Sequence, residues 1–172
     1  MKKFVLTFFG LVILALPQIA SAQNFAAANA YAAKFLCGLA SGGESGLGVV
    51  LGHYNTTINV LATKSKQPIA YRATATRNNL GVGNPTVSNF SARFERDRDE
   101  ALGIVCSQIK SLLEVGGVEG FIEGFLIIYS NGPLLVTDVL TGEGDTEAGL
   151  SAMQVFQVIE RTISNFTVKP LN

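Results

Sequence analysis

The stretch GFIEGFLIIYSNGPLLVTDVLTG, Gly120–Gly142, is the part of the sequence on which the predicted fold depends. Two apolar runs rich in β-branched residues, Phe121–Tyr129 and Leu134–Leu140, flank Ser-Asn-Gly-Pro. Such runs around Asn-Gly are typical of a β-hairpin. Pro133 favours a four-residue loop over a tight turn, because proline cannot donate a ladder hydrogen bond. Both runs are apolar on both faces, which predicts strands covered on both sides, as at the centre of a sandwich.

Short alternating or β-branched stretches recur through the rest of the chain. The predicted strands outside the central stretch are Tyr31–Cys37, Val49–Leu61, Gln67–Arg77, Val87–Phe94 and Ala101–Cys106. Turn-forming residues separate them, notably in the Gly-rich segment Gly38–Gly48 and in Asn78–Pro85. Seven or eight strands at such intervals predict an all-β fold, an antiparallel β-sandwich of the Greek-key or jelly-roll type with room for one short helix.

Two segments leave the choice between helix and strand open. The charged run at 95–100 is expected to be a solvated turn, followed by a short strand and then a helix over Ser107–Val115. A single helix over 97–113 also fits a 3.6-residue period, but Gly103 would cost it about 1 kcal/mol. In Ala148–Ile163 the apolar spacing suits a helix, whereas the β-branched residues favour a strand, which is the preferred interpretation.

The N-terminus carries the features of a secretory signal peptide. Lys2 and Lys3 precede the apolar run Phe4–Leu16, and Ala-Ser-Ala at 20–22 forms a cleavage site. The run is shorter than the roughly 20 apolar residues of a transmembrane helix. We therefore expect a secreted or periplasmic protein whose mature chain begins at Gln23. The predicted domain plan is a signal peptide over 1–22, a lead-in over 23–30 and a single β-sandwich domain over 31–172.

The mature chain would carry little net charge. Without Lys2 and Lys3 the 13 basic residues fall to 11, against 13 acidic residues, so the net charge is near −2. This charge balance does not provide the excess of basic residues that is typical of nucleic-acid-binding proteins. No mature segment is long and apolar enough to span a membrane as a helix, and the many Gly, Ala, Val and Thr residues suit a β-rich exported domain.

Cys37 and Cys106 are the only cysteines. An even number of cysteines in an exported chain predicts a disulfide, which would close a loop of about 70 residues and contribute ~4 kcal/mol in the chain-entropy model. The alternative is a reactive thiol, which needs a nearby base, and the only histidine is His53.

Several motifs in order along the chain resemble a group of uncharacterised exported bacterial β-sandwich proteins. The matching motifs are YAAKFLCG at 31–38, GHYNTTINV at 52–60, DEALGIVC at 99–106, and GFIEGFLIIYS with LLVTDVLTG in the central stretch. In that group both cysteine positions occur in the same contexts, which fits a bridge between Cys37 and Cys106. The resemblance implies a sandwich and an exported location, but no activity.

This chain departs from the group's pattern in two places. The group's second hairpin strand usually ends in Tyr-Thr, whereas this one ends in Leu140-Thr141, and the long Gly-rich loop before Gly52 is not typical. More distantly, the architecture is similar to the small β-sandwich transducer that binds a microbial sensory rhodopsin. A likeness of fold does not carry function by itself.

Glu123 and Asp138 are the candidate catalytic pair. With Tyr129 opposite Leu134 in the predicted hairpin, Phe125 faces Asp138 and the two carboxylates are diagonal neighbours on one face. Two carboxylates within ~8 Å could share a proton, bind a cation or serve as the acid and base of a glycosidase. The alternative is that both are simply hydrated at the end of the sheet; the chain has no Trp to form a sugar platform.

Glu143, Asp145 and Glu147 alternate in a Gly-containing segment and offer oxygen ligands of the kind that calcium accepts. The spacing matches no EF-hand loop, so a solvated acidic loop is the competing interpretation. His53 has no other histidine or free cysteine to form a transition-metal site with, and we expect it to be a hydrogen-bonded structural residue.

The favoured hypothesis for function is an exported non-catalytic module without a cofactor, acting as a binding or structural/surface subunit. Its partner would be a second copy of itself or another surface protein, and not nucleic acid. The alternatives are a secreted hydrolase using Glu123 and Asp138, and a transducing partner of a membrane protein. The absence of a convergent nucleophile, base or metal set in the sequence favours a protein that is not an enzyme.

Overall fold

A computed structural model of the protein describes residues 24–40, 52–78, 86–114, 120–144, 151–158 and 160–170. The elements in these ranges are β1 (Phe25–Ala40), β2 (Gly52–Ala62), β3 (Gln67–Asn78), β4 (Thr86–Val87), β5 (Phe94–Arg96), β6 (Ala101–Val105), α1 (Cys106–Leu112), β7 (Ile122–Ser130), β8 (Leu134–Gly144), β9 (Ser151–Gln157) and β10 (Glu160–Val168). The predicted all-β class with one short helix is confirmed. Within the described ranges, no helix is long and apolar enough to cross a membrane.

The strands form one continuous antiparallel sheet with two groups of neighbours. In the first group β1 pairs with β10 and β7, β7 pairs with β3, and β3 carries β4 and β5. In the second group β2 pairs with β6 and β8, and β8 pairs with β9. The last residues of β1, Gly38–Ala40, pair with β2 and so join the groups. Because β1 links the groups by hydrogen bonds, a sandwich of two separate sheets stays a prediction.

The main hydrophobic core takes side chains from both groups of strands and from the helix. Fully buried members from the first group include Phe35, Ile69, Leu126 and Ile128, and those from the second group and the helix include Ile58, Val60, Ile104 and Ile109. The strands β1, β2, β3, β6, β7 and β8 present alternate residues to this core, as the period of two predicts. Burial of apolar surface shared between the groups therefore adds to the hydrogen bonds of β1 in holding them together.

The predicted hairpin between the two central runs is wrong. Both runs are strands, but β7 pairs with β1 and β3, whereas β8 pairs with β2 and β9. The connection is held by distant polar groups: Gln67 Nε2 donates to Ser130 Oγ and to the Pro133 carbonyl, both at 2.9 Å. The Leu134 N–H donates to Tyr31 Oη at 2.7 Å. Ser130–Pro133 thus joins the two groups of strands instead of closing a ladder.

Where β1 passes between the groups, part of one of its edges has no partner among the described strands. At Leu36 a side chain takes the place of a strand, since Thr56 Oγ1 accepts from the Leu36 N–H and donates to the Leu36 carbonyl, both at 2.9 Å. Thr56 is fully buried. This exchange satisfies two backbone groups that would otherwise lose their hydrogen bonds inside the protein.

The structure shows the secondary structure of the two segments for which the sequence allowed either helix or strand. Residues 101–112 form β6 and then α1, as predicted, so the single helix over 97–113 is excluded. The segment 148–163 contributes to two strands, β9 and β10, which confirms the strand interpretation. β1 begins at Phe25, so it extends into the segment that was expected to be a lead-in.

The predicted strand Val87–Phe94 is wrong. The chain forms only the short strands β4 and β5 there. Between them two serine side chains replace regular pairing with β3: Ser88 Oγ accepts from the Ala73 N–H at 2.8 Å, and Ser91 Oγ accepts from the Tyr71 N–H at 3.0 Å. Hydroxyl groups that compete for backbone donors in this way disfavour a continuous ladder.

Candidate functional site

Cys37 and Cys106 form a disulfide, as predicted, with their Cα atoms 5.6 Å apart. Cys37 is fully buried near the end of β1, and Cys106 begins α1. The Thr56 N–H lies 3.1 Å from Cys106 Sγ. The bond ties the helix to β1 within the core, and because both sulfurs are used in it, neither cysteine serves as the reactive thiol of the alternative interpretation.

Glu123 lies on β7, where its register partner on β1 is Leu36. Its carboxylate forms an ion pair with Lys34, with Oε1 2.8 Å from Nζ. The Glu123 side chain is 18% exposed and that of Lys34 is 47% exposed, so the pair lies at the surface of the first group of strands. Lys34 therefore already neutralises one of the two candidate catalytic carboxylates.

Asp138 lies on β8 between Ile58 of β2 and Phe156 of β9, and it is only 3% exposed. Its Oδ1 is buried and has no hydrogen-bond partner within the described residues. Burial raises the pKa of this carboxyl, while the backbone N–H groups of Lys34, Asp138 and Phe156 act in the opposite direction. Asp138 thus faces the open edge of β1 and lies close to the N–H of Lys34.

The structure does not place Glu123 and Asp138 as the predicted diagonal neighbours. That register required β7 to pair with β8, but β7 pairs with β1 and β3 and β8 pairs with β2 and β9. The Glu123 carboxylate pairs with the ammonium group of Lys34, whereas the backbone N–H of Lys34 acts on the pKa of Asp138. A role as acid and base stays a prediction, without the geometry that suggested it.

Asp138 is expected to make stability depend on pH. Because burial raises its pKa, the folded protein holds this proton more tightly than the unfolded chain does. The resulting stability is complete below the unfolded pKa of about 3.9 and is lost as the pH rises through the folded pKa. We expect Asp138→Asn to remove this loss, so that the free energy of unfolding of the variant rises relative to that of the parent protein between about pH 4 and pH 7. Urea unfolding across that range measures the difference.

Glu143→Gln is the matched control, since Glu143 is an exposed carboxylate on the same strand. Its difference from the parent should vary less with pH than that of Asp138→Asn. Parallel pH curves for the parent and Asp138→Asn would show that the buried carboxyl is not responsible.

Glu143 lies one residue before the end of β8, opposite His53 of β2, and both side chains are exposed. Asp145 and Glu147 lie outside the described residues, so the predicted calcium ligands stay a prediction. In the described ranges, no three His, Cys, Asp or Glu side chains are grouped closely enough to hold a metal. No hydrogen bond to the His53 ring is seen in those ranges, and the expected structural role of His53 stays a prediction.

β9 carries an exposed apolar surface that the sequence interpretation missed. Met153, Val155 and Phe156 are 69%, 58% and 46% exposed. Among the described strands β8 alone pairs with β9, and β9 contains no Asp, Glu, Lys or Arg. The pattern of this segment favoured a strand, but pattern alone does not show that a strand lies at the edge of its sheet.

Comparisons with known proteins give little further information. No protein-family model matches the chain, and no curated protein matches it. The structure is similar to a solved structure described as the crystal structure of Thermotoga maritima 1070, with a TM-score of 0.45 and 10% sequence identity. The match covers 77% of this chain and 93% of that one. The resemblance to exported β-sandwich proteins and the similarity to the rhodopsin transducer stay predictions.

Proposed function

We propose that this protein is an exported, non-catalytic module that acts as a structural or surface subunit by associating with a second copy of itself through β9. The observation that carries the proposal is the exposure of Met153, Val155 and Phe156 on a single edge strand. Large apolar side chains concentrated in this way mark association surfaces.

Within the part of the chain that the structure describes, the outer edge of β9 has none of the usual features that prevent strand pairing. Edge strands present a row of backbone N–H and C=O groups, and stable monomers blunt them with lysine, proline, bulges or a covering segment. The sequence of β9, SAMQVFQ, contains neither charge nor proline. Its register with β8 runs from Thr137–Gln157 to Glu143–Ser151 without a bulge. Such a strand is suited to receive another strand by main-chain hydrogen bonding.

A second copy of β9 complements the first. In an antiparallel pair related by a two-fold axis through Gln154, Met153 of each copy faces Val155 of the other. Cross-strand apolar pairs of this kind contribute about 0.2–1 kcal/mol each. Because the strand is uncharged, no like charges oppose one another in the pair. A two-fold interface between identical surfaces is the commonest form of association between identical chains.

Val155→Lys is expected to weaken this association strongly, because lysine on an edge strand opposes pairing with a second edge. Analytical ultracentrifugation over the micromolar range should show a dimer for the parent protein and a dissociation constant roughly tenfold or more higher for the variant. Leu135→Lys is the matched control: Leu135 is 54% exposed but lies outside β9, on the part of β8 that pairs with β2 and precedes the ladder between β8 and β9. It should dimerise like the parent.

A cysteine cross-link tests the two-fold register. Gln154→Cys should give a covalent dimer under oxidising conditions, because facing residues in antiparallel strands have Cα atoms about 4.5–5.5 Å apart, within reach of a disulfide. Gln157→Cys would face Ser151 and should not cross-link. A parent protein that stays monomeric throughout, or equal cross-linking of both variants, would contradict the proposal.

A further inference from the structure

A second, smaller apolar cluster covers one end of the first group of strands, on the face opposite the main core. It is built on β1, β3, β7 and β10 and includes Phe25, Ala70, Tyr129 and Val168, with Phe90, Ile127 and Phe166 packed against it. Arg72 of β3 lies on the same face, two residues from Ala70 and opposite Ile127 in the register. A cation therefore lies at the margin of this outer cluster.

Aromatic rings hold the guanidinium of Arg72 in place. Its Cζ is 5.4 Å from the ring centre of Phe90 and 5.8 Å from that of Tyr129. Those rings pack edge to face with centres 5.4 Å apart, and Phe166 stacks on Tyr129 at 5.0 Å. An arginine restrained between packed rings loses little further freedom when it binds a ligand, which favours binding.

No acidic side chain neutralises Arg72 within the described residues. The carboxylates of Glu123 and Glu95 pair with Lys34 and Arg93. The Nε atom of Arg72 is buried and has no hydrogen-bond acceptor in the described part of the chain. The faces of the two rings attract the positive charge of the guanidinium. They do not supply the two coplanar oxygen acceptors of a carboxylate, which a guanidinium can bind with two parallel hydrogen bonds. An orphaned buried donor in a native structure calls for an explanation, and an absent anionic partner is one.

An exposed apolar strip begins beside Arg72. Ile127, its register partner, is half-buried, and Ala32 on the other side of Ile127 is exposed. Phe125, two residues further along β7, is 42% exposed. Two residues of a strand span about 7 Å. A ligand held at the guanidinium could therefore lay an apolar tail along β7 as far as Phe125.

From these observations we propose that Arg72 and the strip of Ile127 and Phe125 bind a small monocarboxylate with an apolar tail. The carboxylate accepts hydrogen bonds from the guanidinium, and the tail covers the exposed side chains of β7. This site goes beyond the proposed association through β9 and does not depend on it, because Arg72 and β7 belong to the first group of strands and β9 to the second.

Titration of the isotopically labelled protein with octanoate, followed by NMR, tests the site. We expect saturable shifts of the Arg72 Nε–H signal and of the Ile127 methyl signals. Acetate, which has the charge without the tail, and octanol, which has the tail without the charge, should each bind roughly tenfold more weakly or worse. Equal binding of acetate or of inorganic phosphate would overturn the proposed ligand class, and the absence of shifts at Arg72 would overturn the site.

Octanoate binding by arginine variants shows whether Arg72, and not another cationic side chain, binds the carboxylate. Arg72→Gln should abolish octanoate binding, and Arg72→Lys should weaken it because the planar fork is lost. Arg93→Gln is the matched control: Arg93 also lies over a ring, 5.8 Å from the centre of Phe25, but it pairs with Glu95. It should bind like the parent, and an equal loss in both glutamine variants would count against the site. If Arg72→Gln does not fold, the titration of the parent protein alone decides.

Discussion

Replacing Cys37 and Cys106 together by Ser is expected to lower the free energy of unfolding by about 4 kcal/mol. The bond joins residues 69 apart in sequence, so its loss frees a long loop in the unfolded chain. Small domains are stable by only about 5–15 kcal/mol in total, so the effect is a large fraction of the whole. Urea unfolding of the oxidised parent and the double variant measures it.

Reductant is the internal control for this prediction. It should lower the unfolding midpoint of the parent protein and leave that of the double variant unchanged. Cys37 is fully buried, so Cys→Ala variants are needed alongside the Ser variants to separate loss of the bond from burial of a hydroxyl group. A parent protein whose midpoint does not respond to complete reduction would refute the stabilising role of the bond.

Ile128→Ala is expected to cost about 2–5 kcal/mol, through lost transfer energy and the cavity that is left. Ile128 is fully buried in the main core, on a strand with β1 on one side and β3 on the other. Its neighbour Ile127 points to the opposite face and is only half-buried beside the outer cluster. Ile127→Ala is therefore the matched control and should cost clearly less. Urea unfolding of the three proteins gives both values.

This pair of variants also corrects a prediction from the sequence. Strands covered on both faces, as the sequence predicted, would leave both Ile127 and Val136 nearly inaccessible, and only Val136, at 2% exposure, is. A larger loss for Ile127→Ala than for Ile128→Ala would mean that β7 presents the other face to the main core. The whole register of the first group would then be wrong.

The sequence by itself predicted most of the strands, the position of the helix and the pairing of the two cysteines, although Val87–Phe94 is not a continuous strand and β1 begins earlier than expected. Alternation in segments such as Tyr54–Val60 depends only on the period of a strand, and Gly103 separates β6 from a longer helix through its backbone cost. The disulfide followed from an even cysteine count in a chain expected to be exported. These are local or compositional properties, so they can be inferred without knowing which segments meet.

Only the tertiary structure decided which strands are neighbours and which side chains stay exposed. The sequence of a strand that is apolar on both faces does not show which other strand it pairs with. Because β7 and β8 are adjacent in sequence, they were expected to pair with each other, and they do not. Their connection depends on Gln67 and Tyr31, which lie 63 and 103 residues away from the groups that they bind. The burial of Asp138 and the exposure of Met153 have the same cause: a residue's environment is set by distant segments, and no local pattern encodes it.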